Sequence, residues 1–433
     1  MSKSSTMHAP HAYLGEENIK PLTDSRRFFM WFCAAGFYFF QFVLRTSPTV
    51  IAHDLMQSLS LDSLTLGVLI SCYYYGYSAM QIPSGLLLDR IGPRRPLTMA
   101  CLLCFLGAGA FALSNSFIAL SLGRLFMGIG SAFGFISCVK IASQAFKRSQ
   151  LSMYISFTML LGTMGATAAG KPFAFMVDVF DWRQVHFGLA LFVMMLAVAI
   201  WTVIPDGNRF YASNDKPKSV SPFTSVSLIL KNPQTWLFGV FGFMMYVPLA
   251  GVADLWGVPY LMETYGVERQ MASAANSSIY IGLGLGGPLW SLYVTRVQSY
   301  KKAMGLGAFF TLTFLFILLY VPLPFTVCYG VLFLMGACAT SQFIAFAGVT
   351  ELNTPDNTGL ASGVHNMLCM LSGVIMQPLL GYILKMAWDG SHVGDIPHYT
   401  KANFQLALIV LPIAVFIAVI CVFFFKESYP RDA

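Results

Sequence analysis

A lone arginine lies in the first long apolar run of the chain, and two polar residues precede it at helical spacing. Tyr38, Gln41 and Arg45 are separated by three and four positions, so a helix places them on one face. The guanidinium group presents a planar fork of N–H donors that matches a carboxylate or a phosphate. We therefore expect these residues to bind the acidic group of a ligand. The alternative for Arg45 is a structural ion pair, or an extension toward the outer surface.

Polar side chains also interrupt several later apolar runs. In the second run, Tyr74, Tyr77 and Gln81 share a helical face; their rings could stack on a base, cover an aliphatic group, or simply pack with bonded hydroxyls. Asp254 could accept an amine or lie at the outer mouth of a cavity. His365 could exchange a proton at physiological pH, or stay neutral and hydrogen-bonded. The set of candidate ligand-binding residues is completed by Asn276, Tyr280 and Asn366.

The composition indicates which elements carry these residues. Of 433 residues, 56% are hydrophobic and 10% are charged, whereas a soluble protein has about a quarter of its residues charged. Lipid must therefore surround much of the chain. Twelve apolar stretches are each long enough to cross a bilayer core, which needs about 20 residues: 28–52, 63–86, 96–114, 117–140, 151–173, 184–204, 236–262, 270–293, 302–320, 324–348, 359–386 and 403–425.

The loop between the second and third stretches carries the most specific pattern in the chain. The pattern is G-x-x-x-D-R-x-G-x-[RK]-[RK], formed by Gly85, Asp89, Arg90, Gly92, Arg94 and Arg95. It resembles the motif between the second and third helices of the major facilitator superfamily; the alternative is an ordinary positively charged cytoplasmic loop. Gly85 has no Cβ and is expected to allow close helix contact. The resemblance implies that Asp89 and the arginines stabilise one access state of a transporter.

Two further features support this resemblance. Arg124, Gly128 and Gly130 resemble the fourth-helix signature of the superfamily, and we expect Arg124 to tune helix packing or a proton site. An ungapped shift of 206 residues also aligns the two halves of the chain, pairing Tyr74 with Tyr280 and Gly130 with Gly336. Duplication explains these matches better than chance.

The repeat and the resemblance predict one fold. We expect an all-α membrane protein with twelve transmembrane helices in two pseudo-symmetric six-helix bundles, the major facilitator fold. The predicted parts are a cytoplasmic segment 1–27, a first bundle 28–204, a cytoplasmic linker 205–235, a second bundle 236–425 and a cytoplasmic tail 426–433.

Several other classes of protein find no support in the residues. Neither a Walker loop, nor a Ser-His-Asp set, nor metal-ligand spacing stands out, so we expect no ATP-driven transport, no enzyme and no metal. The nine cysteines lie in apolar stretches, where small apolar packing explains them. We expect no cofactor, with a proton as the candidate coupling ion. The net charge of +7 reflects membrane topology rather than nucleic acid as a partner.

Within the superfamily, one branch looks closer than others. The stretches around Arg45, Gln81 and Gly130 resemble the phagosomal transporters of intracellular bacteria, a group associated with uptake of amino acids and nucleosides. This resemblance implies a monomeric secondary or facilitative transporter that moves a small polar nutrient across the lipid bilayer by alternating access. The alternatives are transport of siderophores or other polycarboxylates, and multidrug or metabolite efflux. A membrane receptor or sensor that no longer transports is the alternative from a different class.

The distribution of positive charge predicts the orientation. Eighteen of the 26 Lys and Arg residues fall on the side of the membrane that holds the N-terminus, and five fall on the other side. Because Lys and Arg concentrate in cytoplasmic loops, we expect a multi-pass protein of the inner (cytoplasmic) membrane with both termini in the cytoplasm. Residues 1–27 lack the short apolar core of a cleaved signal peptide, so the first stretch is expected to remain as an anchor.

Cysteine labelling in intact cells tests this orientation. A cysteine at Ser219, in the linker, should react with a membrane-impermeant maleimide only after permeabilisation, whereas one at Ser391, between the last two stretches, should react from outside. Labelling of the Ser219→Cys variant from outside would contradict the prediction.

Overall fold

Helices occupy every one of the twelve predicted positions. The computed structural model describes residues 23–147, 150–206, 222–353, 358–393, 396–427 and 429. The predicted segment 1–27, the linker 205–235 and the tail 426–433 lie partly outside these residues. Their boundaries therefore stay predictions.

The first bundle contains six spans, which we number in chain order. They are span 1 (Asp24–Thr46), span 2 (Ser63–Ile91), span 3 (Arg94–Leu113), span 4 (Phe117–Ser131 and Gly134–Ala145), span 5 (Leu151–Ala168) and span 6 (Trp182–Val203). Three shorter pieces adjoin them: the 3-10 turn Ser47–Thr49 and the helices Ala52–Leu59 and Lys171–Phe180.

The second bundle contains the other six spans, preceded by the helix Pro222–Lys231. They are span 7 (Pro233–Pro248, the π-helical segment Leu249–Trp256, and Gly257–Tyr265), span 8 (Arg269–Val297), span 9 (Tyr300–Tyr320), span 10 (Phe325–Ala339 and Gln342–Glu351), span 11 (Thr358–Ala387) and span 12 (Lys401–Leu408 and Val410–Phe423). A two-stranded antiparallel hairpin, His392–Val393 with Ile396–Pro397, joins spans 11 and 12.

Local sequence explains where helices begin and where span 7 changes geometry. Several starts are fixed by a side chain that accepts a hydrogen bond from a first-turn N–H. These capping residues are Thr23, Asp62, Ser116, Asp181, Asn232, Ser299 and Thr400. Pro248 supplies no N–H to the helical ladder, and the π-helical segment begins at the next residue.

The apolar character of the helices agrees with membrane spans. Among the described residues, nine helices are long and apolar enough to cross a membrane, and a tenth forms if Ala52–Leu59 and span 2 count as one bent span. Span 5 is shorter, and span 8 carries Asn276 and several serines on a long helix. Both occupy predicted positions and face the other bundle, where polar residues avoid lipid.

Helix packing in the first bundle is repeated in the second. Span 1 packs against spans 4, 5 and 6, and span 7 packs against spans 10, 11 and 12. Span 2 contacts span 4 in the first bundle, as span 8 contacts span 10 in the second. Span 3 contacts spans 4 and 6, as span 9 contacts spans 10 and 12. Between the bundles, span 2 lies along span 11 and span 5 along span 8. The predicted pair of pseudo-symmetric six-helix bundles is confirmed.

Glycines bring the backbones of paired helices into contact. These contacts also show which residues of the two halves are structural counterparts. A Cβ on Gly128 would lie 1.9 Å from the carbonyl oxygen of Tyr73, and a Cβ on Gly336 would lie 2.0 Å from that of Ile279. Tyr73 and Ile279 are counterparts at the 206-residue shift, so Gly336 is the structural counterpart of Gly128. The expected pairing of Gly130 with Gly336 is wrong. The segment between spans 8 and 10 is two residues longer than the segment between spans 2 and 4, so the offset changes from 206 to 208 residues.

Large apolar side chains cover the outside of the molecule. Among the most exposed are Leu113, Ile118, Met195, Leu289, Leu292, Met386 and Phe423. A soluble monomer rarely exposes so much contiguous apolar surface, whereas lipid solvates it. This surface fits the predicted bilayer environment.

Substituting glycine by alanine tests the close helix contact. Gly128→Ala should lower the thermal unfolding midpoint, because the new Cβ meets backbone and overpacking typically costs about 1–3 kcal/mol. Gly188→Ala is the matched control, since nothing lies within 4 Å of its Cβ; it should be neutral or slightly stabilising. Equal midpoints for the two variants would contradict the packing described here.

Candidate functional site

Arg45 lies in the last turn of span 1, at the interface between the two bundles. Its side chain is only 6% exposed, and its guanidinium carbon is 4.3 Å from the ring centre of Phe42 and 5.9 Å from that of Tyr246. The position at a helix C-terminus favours a cation. Within the described residues, Nε is buried without a hydrogen-bond partner.

Asp254 supplies the charge that opposes Arg45. It is fully buried in the π-helical segment of span 7, with Oδ2 3.7 Å from Nε of Arg45. Its carboxylate oxygens are already engaged, because the Tyr74 hydroxyl donates to Oδ2 and the Tyr280 hydroxyl donates to Oδ1. Such π-helical segments frequently occur at functional sites. The ion pair therefore compensates the charge of Arg45 but leaves its N–H donors without acceptors.

The two tyrosines come from different bundles and are repeat counterparts. Tyr74 lies on span 2 and Tyr280 on span 8, at positions 206 residues apart. A carboxylate that accepts from both must lie close to the pseudo-twofold axis relating the bundles. Asp254 consequently links the first bundle to the second at the centre of the molecule.

Other predicted residues extend this polar region along the face of span 2. The Tyr73 hydroxyl donates to Oε1 of Gln41 at 2.9 Å, and the ring of Tyr77 stacks on that of Tyr73 with centres 5.9 Å apart. Nδ2 of Asn366, on span 11, donates to Oε1 of Gln81 at 2.7 Å. This last hydrogen bond is a second link between the bundles.

Three predicted residues have their contacts within one bundle. The Tyr38 ring packs against Phe42 and Phe135. Nδ2 of Asn276 donates to the carbonyl of Ala253 at 3.0 Å, next to Asp254. His365 is buried among second-bundle side chains, with its ring 4.4 Å from that of Phe346 and Nε2 3.5 Å from Sγ of Cys369. These contacts bury His365 within the second bundle, and its role in proton exchange stays a prediction.

The fourth-helix residues position span 1 rather than opening into the site. Nη1 of the buried Arg124 donates to the carbonyl of Leu44 at 2.7 Å, one residue before Arg45, and its guanidinium carbon lies 4.8 Å from the ring centre of Tyr73. Gly128 and Gly130 let span 4 approach spans 2 and 3, respectively. The expected role of Arg124 in packing agrees with these contacts.

The loop motif lies at one end of the molecule, which we call the motif end. Nζ of Lys140 lies 2.6 Å from Oδ1 of Asp89, and Nη2 of Arg95 lies 2.7 Å from Oδ2 of Asp206, so both pairs join helix ends of the first bundle. Arg94 lies over the ring of Trp201 at 4.1 Å. Arg90 is exposed.

The two glycines of the motif differ in what they allow. Gly92 ends span 2 with φ of 78°, a conformation that side chains rarely adopt. The expectation that Gly85 permits close helix contact is wrong in this structure, since a Cβ there would have nothing within 4 Å.

Ion pairs close the opposite end of the molecule, which we call the far end. Arg269, at the start of span 8, lies 3.0 Å from Asp54 and 3.4 Å from Asp178, both in the first bundle. Nζ of Lys385, near the end of span 11, lies 2.6 Å from Oδ2 of Asp62. These pairs hold the two bundles together beyond Arg45 and Asp254.

Backbone contacts complete this closure. The Ser63 hydroxyl donates to the carbonyl of Gly381 at 2.8 Å, and the N–H of Ser63 donates to the Tyr399 hydroxyl at 3.2 Å.

Burial alone would raise the pKa of the Asp62 carboxyl, but hydrogen bonds from Lys385 and Thr65 outweigh this effect, and the pKa falls below its ordinary value. Since the pKa is lowered, the pair is intact at neutral and mildly acidic pH and is lost only as pH falls through the lowered pKa.

Sequence reasoning missed several residues of this arrangement. Tyr73, Phe42 and Tyr246 surround Arg45 and Arg124, and only the run of three tyrosines at 73–75 hinted at the first of them. The ion pairs of the far end were also missed, because residues such as Asp54 and Arg269 are 215 positions apart.

Comparison with known families agrees with this architecture. The family model of the Major Facilitator Superfamily matches residues 30–375 and 255–433, which together cover most of the chain. The chain belongs to the Major Facilitator Superfamily. It is therefore a multi-pass membrane protein of a transporter family, which is typically not enzymatic.

Curated relatives and solved structures of this superfamily resemble the chain along most of its length. A hexuronate transporter of Bacillus subtilis is 24% identical over 366 residues, covering 78% of this chain and 84% of that protein. A probable sulfoacetate transporter of Cupriavidus necator is 22% identical, covering 83% and 87%. A bacterial homologue of the human lysosomal transporter Spinster, solved inward-facing and unoccupied, has a TM-score of 0.75 at 16% identity, covering 93% and 97%.

Weakening the far-end ion pairs should increase opening at that end. Arg269→Gln removes two partly exposed pairs, each worth about 0.2–1 kcal/mol, so amide hydrogen exchange in residues 52–62 and 266–275 should rise by about twofold to thirtyfold. Arg95→Gln is the control, because its ion pair lies within the first bundle. Unchanged exchange at the far end in Arg269→Gln would show that these pairs do not hold it closed.

Proposed function

We propose that the chain is a secondary transporter that moves a small carboxylate-bearing nutrient by alternating access, with Arg45 as the residue that binds the carboxylate. The observation that carries this proposal is the state of Arg45: a buried guanidinium between the bundles, compensated in charge by Asp254 but without a hydrogen-bond acceptor. A buried donor without a partner is costly. Two carboxylate oxygens of a ligand would satisfy its planar fork.

The arrangement of the bundles supports alternating access. The far end is closed by ion pairs between the bundles, and Arg45, Asp254, Gln81 and Asn366 link the bundles nearer the centre. A ligand bound at Arg45 would touch both bundles, so its presence would bias their relative position. Rocking of two repeats about a central site is the general plan of such transporters.

The substrates of the relatives favour an organic anion. The curated relatives include three hexuronate transporters, a probable L-galactonate transporter and a probable sulfoacetate transporter, beside two putative multidrug resistance proteins. An amino acid also carries a carboxylate and stays within the proposed class, in line with the predicted likeness to phagosomal transporters. A nucleoside carries none and would leave Arg45 without an acceptor.

The charges around Arg45 also bear on transport of siderophores and on drug efflux. A siderophore or other polycarboxylate needs several cations, but Arg124 is buried against the Leu44 carbonyl and Lys140 is paired with Asp89. Efflux of apolar drugs gives Arg45 no role. Among the described residues, Arg45 is the cation that lies between the bundles beside Asp254, which favours a single carboxylate as the recognised group.

The remaining parts of the proposal concern coupling and placement in the cell. We propose that no cofactor takes part and that a proton is the coupling ion. The described contacts of His365, the residue expected to exchange a proton, are with Phe346 and Cys369. The protein would work as a monomer in the inner (cytoplasmic) membrane, with the motif end and both termini in the cytoplasm.

Substitutions at Arg45 test the proposed function. Binding to purified protein in nanodiscs should be measured for D-glucuronate, sulfoacetate, glutamine and uridine. Arg45→Ala should weaken carboxylate binding by at least about tenfold, since a hydrogen bond to a charged group contributes about 1.5–3 kcal/mol. Arg45→Lys should also bind less tightly, because it keeps the charge but loses the fork. Uridine binding should be insensitive to either change.

Arg27→Lys is the matched control, because Arg27 forms a surface pair with Asp24 and should not affect binding. If Arg45→Ala binds every transported ligand as tightly as the unmodified protein does, Arg45 is structural and the proposed site is wrong.

A further inference from the structure

Arg45 and Asp254 are satisfied in different ways. The carboxylate of Asp254 has a hydrogen bond to each oxygen, from Tyr74 on one bundle and Tyr280 on the other. Arg45 has the opposing charge 3.7 Å away but no hydrogen bond within the described residues. Charge compensation and hydrogen bonding, which usually come from one partner, are thus separated at this site.

This separation matters when the transporter is empty. Closing a guanidinium away from water without an anion nearby carries a large desolvation penalty. A carrier that returns without substrate must nevertheless close around Arg45. With Asp254 beside it, the closed empty site contains one cation and one anion rather than an isolated charge.

We propose that Asp254 is an intramolecular carboxylate ligand of Arg45, which neutralises Arg45 in the empty carrier and competes with the substrate carboxylate for it. The inference rests on the proposed function, because it assumes that Arg45 binds the substrate. It assigns Asp254 no contact with a substrate amine. The recognised ligand is then an anion that needs no ammonium group, and the empty carrier can close.

The two tyrosines set the strength of this competition. Their hydroxyls occupy one lone-pair direction on each oxygen of Asp254 and hold the carboxylate at ion-pair distance, short of a hydrogen bond with Arg45. Asp254 can therefore compensate the charge without filling the fork of the guanidinium. The substrate carboxylate gains the N–H donors that Asp254 leaves unused.

Small carboxylates test this inference without knowledge of the physiological substrate. Thermal unfolding of the full-length protein in nanodiscs should be followed by tryptophan fluorescence while sodium acetate is titrated, with sodium chloride at equal ionic strength as the reference. In Asp254→Asn the competing charge is gone, so acetate should stabilise the protein at concentrations at least about tenfold lower than in the unmodified protein. If Asp254→Asn unfolds in chloride, acetate during purification should restore the folded yield.

Two comparisons make the result specific. The double variant Arg45→Gln/Asp254→Asn has neither charge, so it should fold in chloride and show no response to acetate beyond that to chloride. Glycine is acetate with an added ammonium group, and it should stabilise the unmodified protein no better than acetate does. Equal or weaker acetate sensitivity in Asp254→Asn, an acetate response in the double variant, or a preference of the unmodified protein for glycine would each overturn the inference.

The outcome is independent of the proposed nutrient. A protein that shows the expected acetate responses but binds none of the larger carboxylates would retain the role of Asp254 and refute the substrate class. A carboxylate transporter whose Asp254→Asn variant gains no acetate sensitivity would retain the proposed function and refute this inference alone.

Discussion

A guanidinium buried inside a membrane protein must be compensated, and this requirement organises the centre of the molecule. Arg45 lies at the end of span 1, and the compensating carboxylate, Asp254, comes from span 7 in the other bundle. The pair can form only when the two bundles are placed side by side in the observed register. Tyr74 and Tyr280 then orient the carboxylate from both sides. Burial of one charge thus couples the positions of four helices.

Close backbone contacts occur both within and between the bundles, and polar pairs are added to them where the two bundles meet. Within each bundle, glycines such as Gly128 and Gly336 let the backbones of two helices touch with no side chain between them. Such packing tolerates little displacement. Between the bundles, the contacts at Arg269 and Asn366 are ion pairs and single hydrogen bonds. These polar contacts exchange with water at modest cost, whereas the backbone contacts of Gly67 with Gln377 and of Gly381 with Ser63 must also separate if the far end is to open.

Hydropathy alone located the twelve helices, because a bilayer demands long apolar stretches whatever the tertiary packing. Polar residues inside those stretches, including Arg45, Tyr74, Asp254 and Tyr280, were also recognisable as candidates, since lipid disfavours them. The sequence did not reveal that these residues meet at one point, because their meeting depends on how the two bundles dock. The role expected for Gly85 failed for the same reason, as its neighbours are set by tertiary packing. The 206-residue shift paired the tyrosines correctly, but a length difference in a connection moved the glycine pairing to Gly128 and Gly336.

The position of Asp254 between two counterpart tyrosines has a consequence for how such a site could arise. After a six-helix unit is copied in tandem, both copies present the same tyrosine toward their common axis. A single substitution beside that axis then gains a partner from each copy at once. Pro48 and Gly251 occupy the counterpart positions of Asp254 and Arg45, so each charge is present in one half only. An asymmetric pair of buried charges therefore needs few changes in an originally symmetric arrangement.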